Sequence, residues 1–568
     1  MALFERVRSA RVQIATVVVA FLAGACGATS VPSGPSPSTD ESVAAPSSIA
    51  CLPLDRQPEL PWWADRVFYE VFVRSFQDSD GDGIGDLRGL AARLDELNDG
   101  DPATADDLGV TGLWLMPVAE SPSYHGYDVV DYRAIESDYG TAEDFRTFVT
   151  AARERGIAVI VDLVMNHTSR EHPWFQDAVT PGSEHDDWYV WSADHPGYAR
   201  SDGTRVWHKA GGRYYYGYFW EGMPDLNLEN REVTAELDGI GRFWLEEMGV
   251  DGFRLDAARH LIEDERKLEN TPATFEWLRG FRERLKRVRP DALVLGEVWD
   301  ATSMSARYVR DGALDLSFDF GLAGATIAAL RSGDGDSLHA AQEEVAEAYP
   351  PGGLATFLTN HDQDRVFDQL ERDGPSARLA ATLLLTGGGV PFIYYGEEIG
   401  LTGRKPDERI RTPMRWDATG PGAGFTTATP WQPLGDDPPG TDVATQSADP
   451  DSLLSLYRDL IRLRATHPAL ATGEWTAVDA EPASVVAYLR HLPGEAVLVV
   501  ANLADDAVDH PVLDLAEGPL CGTSTPQVLF GQGTVAPLVV NAAGGFDGYV
   551  PVTRLGPRES IVIELGPP

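Results

Sequence analysis

The feature that most constrains the fold is a regular alternation of short apolar runs with amphipathic stretches from Arg66 onward. Eight runs of strand length lie at residues 67–73, 112–116, 158–163, 252–255, 293–296, 314–318, 355–358 and 391–394. Helical periodicity separates them, most clearly at residues 142–155, 231–247, 274–289 and 375–385. Because parallel strands need a crossover between them, this alternation predicts an α/β fold, a (β/α)8 TIM barrel.

Two regions depart from the alternation. Residues 168–227 follow the third run, are rich in Trp, Tyr, His, Asp and Gly, and predict an inserted loop subdomain. After residue 473, β-rich runs with Gly and Pro turns predict a C-terminal all-β sandwich. The domain plan is a signal peptide at 1–25, a lipid anchor and flexible linker at 26–60, barrel segments at 61–167 and 228–473 around the subdomain at 168–227, and the sandwich at 474–568.

The N-terminal region predicts export. A basic start precedes a short apolar run at residues 14–25, which ends at Cys26 and is short for a membrane span. The end of this run resembles a bacterial lipobox, although Ala23 stands where lipoboxes usually carry Leu. That resemblance implies a lipid on Cys26 as the one membrane contact and anchoring to the outer face of the cell membrane, with free secretion as the alternative.

Charge and cysteine content exclude several classes of function. The chain has 46 basic and 88 acidic residues, a net charge of −42, which repels nucleic acid and favours neutral substrates and bound cations. Three cysteines exclude a disulfide scaffold and a cysteine-rich metal site. Pairing of Cys51 with Cys521 after export stays open, and we expect a monomer.

Polar clusters fall where the predicted strands end. Because the carboxyl ends of barrel strands form one rim, we expect these side chains to share a cleft. They include His167 after the third run, Arg254, Asp256, Arg259 and His260 at the fourth, Glu297 at the fifth, and His361 and Asp362 at the seventh. In this order the clusters resemble those of the α-amylase family of retaining glycoside hydrolases, and the resemblance covers residues 61–565.

The resemblance implies a role for each of these residues. Asp256 would be the nucleophile, Glu297 the general acid/base, and Asp362 the carboxylate that stabilises the transition state. The substrate-binding residues that it implies are Tyr127, His125, His167, Arg254, Arg259, His260, His361 and Arg411.

The residues themselves support the two central roles. Acetal cleavage needs one ionised and one protonated carboxyl group. Arg254 lies two residues before Asp256 and is expected to lower its pKa, while Val298 and Trp299 are expected to keep Glu297 protonated.

The choice between internal and terminal cleavage stays open. Tyr124 stands where chain-end enzymes of the family tend to carry Asp, which favours internal cleavage, whereas Arg411 resembles the arginine that partners that Asp. The motif at residues 223–227 is intermediate between the oligo-1,6-glucosidase and neopullulanase subfamilies. Our interpretation is an α-amylase acting on internal α-1,4 bonds of starch, glycogen and maltodextrins. The alternatives are an exo-acting α-glucosidase, oligo-1,6-glucosidase or glucan-transferring relative, and a non-catalytic glycan-binding protein.

An acidic loop predicts a calcium site. Its carboxylates alternate with glycines and would repel one another without a cation, but the Glu that closes an EF-hand is replaced by Gly89. The loop is similar to the calcium loop after the first strand of many family members. A second Ca²⁺ beside Asn166 stays open. The implied ligands are Asp78, Asp80, Asp82, the Ile84 carbonyl and Asp86.

Overall fold

The computed structural model describes residues 59–566, except for the side chains of residues 523 and 524. Eight parallel strands close into a barrel in chain order, with the last strand hydrogen-bonded back to the first. Buried positions fill nearly every strand, as expected for a parallel sheet covered on both faces. The predicted TIM barrel is confirmed. The strands are β1 (Phe68–Val71), β2 (Gly112–Leu115), β3 (Ala158–Leu163), β4 (Gly252–Leu255), β5 (Leu293–Gly296), β6 (Leu316–Phe318), β7 (Leu354–Phe357) and β8 (Val390–Tyr394).

The predicted signal peptide, Cys26, nearly all of the linker and Cys51 lie outside the described residues. Among the residues that are described, the helices are all too short or too polar to cross a bilayer.

Helices follow the strands and begin at side-chain caps. Thr141 and Asp144 form a reciprocal capping box at the start of the helix Ala142–Glu154, and Thr271 caps the helix Pro272–Val288. The α-helices are α1 (Leu87–Ala92), α2 (Leu94–Leu97), α3 (Ala142–Glu154), α4 (Pro173–Ala178), α5 (Arg231–Phe243), α6 (Pro272–Val288), α7 (Thr302–Arg310), α8 (Phe320–Ser332), α9 (Gly335–Ala348), α10 (Val366–Gln369), α11 (Gly374–Thr386), α12 (Asp407–Ile410), α13 (Val443–Ser447), α14 (Leu453–Thr466) and α15 (Pro468–Thr472).

Large side chains fill the barrel interior. Phe68 of β1 stacks on Phe392 of β8 with ring centroids 4.7 Å apart, and Phe318 of β6 packs edge-on against Phe392. Trp114 of β2 packs above them, and its ring meets His361 edge-on at 5.6 Å. This packed aromatic floor supports the polar groups at the carboxyl end of the barrel.

The inserted subdomain forms a small sheet of its own. Its strands are Trp191–Ser192, Trp207–Ala210 and Arg213–Tyr216, joined in an antiparallel manner. One group of its aromatic rings packs around Val206, Trp207 and Tyr216, and another, which includes Phe175 and Tyr215, joins the core shared with the barrel, whereas Trp220 is 51% exposed. A bridge between His167 and Asp225 ties the segment to the end of β3.

The C-terminal domain contains two short strand pairs and a seven-stranded antiparallel sheet. The strands of the sheet are β9 (Glu474–Glu481), β10 (Val485–Leu492), β11 (Glu495–Asn502), β12 (Val512–Leu515), β13 (Gln527–Phe530), β14 (Phe546–Tyr549) and β15 (Ser560–Gly566). Their order across the sheet is β13-β15-β11-β10-β9-β12-β14. Alternate residues of one strand enter different cores: Tyr488 faces the core shared with the barrel, and Ala487 faces the domain's own core. Cys521 is disulfide-bonded.

Candidate active site

A single guanidinium connects three carboxyl groups at the carboxyl end of the barrel. Arg254 lies on β4, in register with Asp162 of β3, and its side chain is fully buried. Its Nη1 lies 2.8 Å from Asp162 Oδ1 and 2.7 Å from Asp256 Oδ1. Its Nη2 lies 2.8 Å from Glu297 Oε2 as an ion pair without hydrogen-bond alignment. Side chains from β3, β4 and the end of β5 are therefore held around one cation.

The turn after β4 brings a backbone donor to the same place. Ala257 has φ of 50°, a left-handed conformation that turns the chain sharply just after Asp256. Its N–H donates a hydrogen bond of 3.2 Å to Glu297 Oε2. Glu297 is thus fixed by main chain as well as by Arg254, whereas the Asp256 carboxylate is held by Arg254.

Burial dominates the protonation of these carboxyls. It raises the pKa of Asp256 above its usual range, and Arg254 opposes that shift without reversing it. Burial also raises the pKa of Glu297, and the charges of Asp256 and Asp362 add to the rise. Arg254 therefore lowers the pKa of Asp256 as expected, but the expected net direction is wrong, because burial outweighs Arg254 and the pKa is raised.

The expected cause of the Glu297 shift also needs correction. Trp299, which was expected to shield this carboxyl, is 44% exposed and stacks on Phe320 with ring centroids 4.4 Å apart. Its ring therefore packs at the surface. Burial at the barrel rim and the charges of the neighbouring carboxylates raise the pKa of Glu297 instead.

Asp362 has the opposite electrostatic setting. Its Oδ2 lies 3.2 Å from His361 Nε2, and its Oδ1 lies 3.0 Å from Arg411 Nη2. Burial alone would raise the pKa of Asp362, but these two cations hold it well below its usual range. Asp362 is consequently ionised at any pH near neutrality.

Tyr127 and two histidines form one wall of the cleft. The Tyr127 ring stacks on His361 with centroids 5.5 Å apart, and its hydroxyl lies 2.6 Å from His361 Nε2. His167 Nε2 lies 3.1 Å from the Tyr127 carbonyl, and burial lowers the pKa of His167 to about 4. His125 accepts a hydrogen bond from the Tyr127 N–H, so it supports this wall from behind.

Arg259 and His260 lie on the side of the inserted subdomain. Arg259 Nη1 is 3.3 Å from Asp300 Oδ2, and its Nε is 3.0 Å from His260 Nε2. His260 stacks on Tyr218 with centroids 3.9 Å apart, and burial lowers its pKa to about 3. These residues therefore offer a neutral imidazole and an anchored guanidinium beside the subdomain.

Two residues of the site were given no role from the sequence. Asp162 accepts hydrogen bonds from Arg254, Tyr127 and the Trp114 indole, and burial raises its pKa to about 7. Glu70 of β1 contacts His361 Nδ1. A carboxylate inside an otherwise apolar strand was the available indication for both, because such a charge needs a partner when buried.

Tyr124 lies at the edge of the cleft. Its ring stacks on Trp431 with centroids 5.4 Å apart. Arg411 lies nearby and is held by Asp407 Oδ2 at 3.2 Å as well as by Asp362. The arginine that the sequence singled out therefore has a carboxylate partner, although position 124 does not supply it.

The acidic loop brings three carboxylates together. Ligand oxygens of Asp78, Asp80 and Asp86 lie within 4.8 Å of one another, while Asp82 is outside this group. Burial alone would raise the pKa of Asp78, but hydrogen bonds from Thr426 and the loop backbone outweigh it and lower the pKa. An all-oxygen donor set on a tight loop fits Ca²⁺. Asp78, Asp80 and Asp86 are the residues that would hold it.

Asn166, beside which a second cation site was left open, is buried and donates a hydrogen bond of 3.0 Å to Asp225 Oδ2.

Comparison with known proteins supports the family resemblance of the sequence motifs. The family model for the α-amylase catalytic domain matches residues 70–473. Alpha-amylase 3 of Dictyoglomus thermophilum is 40% identical over 450 residues, which is 78% of this chain and 85% of that protein. An oligo-1,6-glucosidase of Parageobacillus thermoglucosidasius is 31% identical over 529 residues, 79% of this chain and 91% of that protein.

A solved structure supports the same family. The crystal structure of α-amylase from H. orenii matches with a TM-score of 0.74 and 40% identity, covering 88% of this chain and 99% of that one. Three carboxyls at the ends of β4, β5 and β7, the closed barrel and these matches lead to one conclusion. The chain belongs to the α-amylase family of glycoside hydrolases.

Proposed function

We propose that this chain is an exported, calcium-dependent α-amylase that hydrolyses internal α-1,4-glucosidic bonds of starch, glycogen and maltodextrins with retention of configuration. The observation that carries the proposal is the division of the site into two electrostatic halves. Burial raises the pKa of Glu297, whereas His361 and Arg411 keep Asp362 ionised. Glycoside hydrolysis through a covalent intermediate needs a proton donor and anions of this kind side by side.

The first step breaks the glycosidic bond. Glu297 gives its proton to the glycosidic oxygen as the Asp256 carboxylate attacks the anomeric carbon. The carbon–oxygen bond to the leaving chain breaks, and an ester forms between Asp256 and the sugar. Asp362 accepts hydrogen bonds from the sugar hydroxyls, and its negative charge opposes the positive charge that develops on the ring.

The second step releases the sugar. The Glu297 carboxylate takes a proton from a water molecule as that water attacks the anomeric carbon, and the ester to Asp256 breaks. Two displacements restore the original configuration. Arg254 holds both carboxyl groups throughout, so the nucleophile and the acid keep their relative positions. Calcium bound at Asp78, Asp80 and Asp86 would stabilise the loop after β1.

Internal cleavage is favoured by the relatives and by the cleft edge. α-Amylases match at 40% identity, and the oligo-1,6-glucosidase matches at 31%. Tyr124 packs on Trp431 and supplies no carboxylate to close the cleft behind the first sugar. An uncharged glucan also suits a chain with a net charge of −42.

A second candidate is cleavage from the chain end. The observation that favours it is the pair between Arg411 and Asp407, which lies directly beside Asp362. A charged pair at that position would bind the hydroxyls of a terminal sugar and oppose passage of a longer chain.

A substrate blocked at its non-reducing end separates the two candidates. We expect a blocked maltoheptaose to be cut into mixed short fragments from the first minutes, and an α-anomeric product by NMR. Release of glucose from the free heptasaccharide without any cleavage of the blocked one would replace the amylase by an exo-glucosidase. The Asp407→Asn variant serves as a matched probe, because it removes the carboxylate partner of Arg411 and leaves Asp362 in place.

Export and anchoring need a separate measurement. We expect the mature protein in the membrane fraction of the producing cell, with a mass that matches diacylglyceryl modification of Cys26. A Cys26→Ser variant is expected to appear in the medium. Retention of the variant in the membrane fraction would contradict anchoring through Cys26.

A further inference from the structure

Glu70 is a buried carboxylate that the proposed chemistry does not use. It lies on β1, in register with Trp114 of β2 and Tyr394 of β8, and it is 2% exposed. Its Oε1 contacts His361 Nδ1, and His361 is itself 1% exposed. A buried carboxylate is costly unless a charged or hydrogen-bonding partner compensates it. His361 is such a partner, and it lies directly before Asp362.

The other ring nitrogen of His361 also faces acceptors. Its Nε2 lies 2.6 Å from the Tyr127 hydroxyl oxygen and 3.2 Å from Asp362 Oδ2. The Tyr127 hydroxyl lies 3.1 Å from Asp162 Oδ2, which gives its proton an acceptor and leaves its oxygen free to accept one from His361. A neutral imidazole carries hydrogen on only one of its two nitrogens. The bare nitrogen would face the Glu70 carboxylate if it were Nδ1, and the Asp362 carboxylate if it were Nε2.

We propose that Glu70 is a positioning residue that keeps His361 protonated on both ring nitrogens, so that the imidazolium holds Asp362 and Tyr127 in place. The proposal rests on the proposed glycosidase chemistry only for its effect on substrate, and the charge of the ring is independent of it. Glu70 touches neither the sugar nor the reacting atoms, and it acts through His361.

The surroundings of His361 favour the cation from several elements. Glu70 faces it from β1, Asp362 follows it after β7, and Tyr127 covers its ring from the loop after β2. The charges of Asp162 and Asp256 reach it from β3 and β4.

One cation lies on the other side. The Arg411 Nε donates to the His361 carbonyl oxygen at 3.0 Å, and its Nη2 pairs with Asp362. Burial alone would lower the pKa of His361, but Asp362 and Glu70 raise it to about 9. The imidazolium therefore persists across the neutral range.

Loss of the Glu70 charge has a defined consequence. Glutamine at this position keeps the shape and removes the anion, so His361 gives up its proton at a lower pH. The neutral ring then donates from one nitrogen only, and Asp362 loses one of its two cations. Binding of the sugar at Asp362 and Tyr127 is expected to weaken as pH rises through this lower value.

The charge of the ring is measured directly by NMR of protein labelled with ¹⁵N in histidine. We expect both His361 nitrogens to be protonated at pH 7.5 in the wild-type chain. In Glu70→Gln we expect the proton to be lost at least about one pH unit earlier, which is a tenfold change in the proton affinity. The His361→Asn variant assigns the resonances. A neutral His361 ring at pH 7.5 in the wild type overturns the proposal, whether or not the proposed α-amylase activity is correct.

A matched control uses Glu398, another buried glutamate, which accepts a hydrogen bond from Tyr69 at 2.8 Å. Glu398→Gln should leave the His361 resonances and their titration unchanged. An equal shift in both variants would mean that any loss of a buried charge moves the ring, and it would overturn a specific role for Glu70.

The effect on substrate is read in the inactive Glu297→Gln background, which removes the titration of the acid itself. We measure the Kd of maltoheptaose between pH 6 and pH 9, with and without Glu70→Gln. We expect similar values at pH 6 and at least about threefold weaker binding at pH 8.5 when Glu70 is replaced, because a fall of one unit in the pKa of His361 lowers the protonated fraction at that pH by this factor. A parallel loss at every pH would indicate a structural defect and contradict the proposal.

Discussion

The catalytic cleft and the acidic loop use carboxylates in contrasting ways. In the cleft, Asp256 and Glu297 lie against Arg254, and burial still raises their pKa values. In the loop, Asp78 accepts hydrogen bonds from the N–H groups of Gly81 and Gly83 and from Thr426, and its pKa is lowered. In the cleft, burial outweighs the guanidinium that three carboxyls share, whereas around Asp78 the neutral donors outweigh burial. Asp78 therefore keeps its charge to lower pH than a free carboxyl, and Asp256 and Glu297 keep a proton to higher pH.

The largest expected effect comes from removing the proton that Glu297 donates. Glu297→Gln keeps the shape and hydrogen bonding but cannot protonate the leaving oxygen. We expect kcat to fall by about 10²–10⁴-fold, the usual contribution of a general acid. Equilibrium binding of maltoheptaose should change little.

Calorimetry and product assays measure the two effects. Full turnover by Glu297→Gln would mean that another group is the acid and that the two halves of the cleft are misassigned.

Removing bound Ca²⁺ should lower the stability of the fold, and activity should be lost as the protein unfolds rather than through a direct effect on the reacting groups. With free Ca²⁺ at 100 times its Kd, binding adds about 2.7 kcal/mol to the free energy of unfolding, so a chelator should lower Tm by several degrees. Asp78→Asn should lose most of this response. Asp82→Asn is the matched control, because Asp82 lies outside the convergent group and should keep the response. Equal Tm values with and without chelator in the wild type would exclude a stabilising calcium site.

The change in stability with pH should have opposite signs for Glu297 in the cleft and Asp78 in the loop. The pKa of Glu297 is raised, so its contribution to stability is present at low pH and is lost as pH rises through the folded pKa. Glu297→Gln should therefore gain stability relative to the wild type on going from pH 5 to pH 8.

The pKa of Asp78 is lowered, so its contribution is present above the unfolded pKa and is lost as pH falls through the folded pKa. In chelator, Asp78→Asn should lose stability relative to the wild type as pH rises from 3 to 6. Urea unfolding at each pH gives both differences, each on the order of 1 kcal/mol per pKa unit. Two differences of the same sign would remove the distinction between the regions.

The smallest expected effect tests the neutral donors of the loop. Thr426→Val removes the hydroxyl that donates to Asp78 and keeps the volume of the side chain. We expect a loss of about 1 kcal/mol in chelator, the usual contribution of one hydrogen bond. Thr419→Val, at an exposed hydroxyl bonded to Asp417, is the matched control and should change stability less. Equal losses would show that Asp78 gains nothing special from Thr426.

The alternation of apolar runs was sufficient to predict the barrel. All eight predicted strands are present, because a strand buried on both faces must be apolar along its length. The site could be located for a related reason: polar residues at strand ends share the carboxyl rim of a parallel barrel. Asp256, Glu297 and Asp362 lie there, each with the cation or backbone donor that orients it.

The sequence did not show which groups of that site are protonated. Spacing places Arg254 two residues from Asp256, but it does not show that Asp162 and Glu297 share the same guanidinium. Nor does it show that Trp299 packs on Phe320 or that Glu70 of β1 reaches His361 after β7, with β8 between the two strands. Each depends on groups far apart in the chain, and on a burial penalty that exists only after they are packed. The sequence alone determined which residues reach the rim, because strand periodicity is local, whereas only the tertiary structure decided which of them are charged, because charge depends on the neighbours that folding supplies.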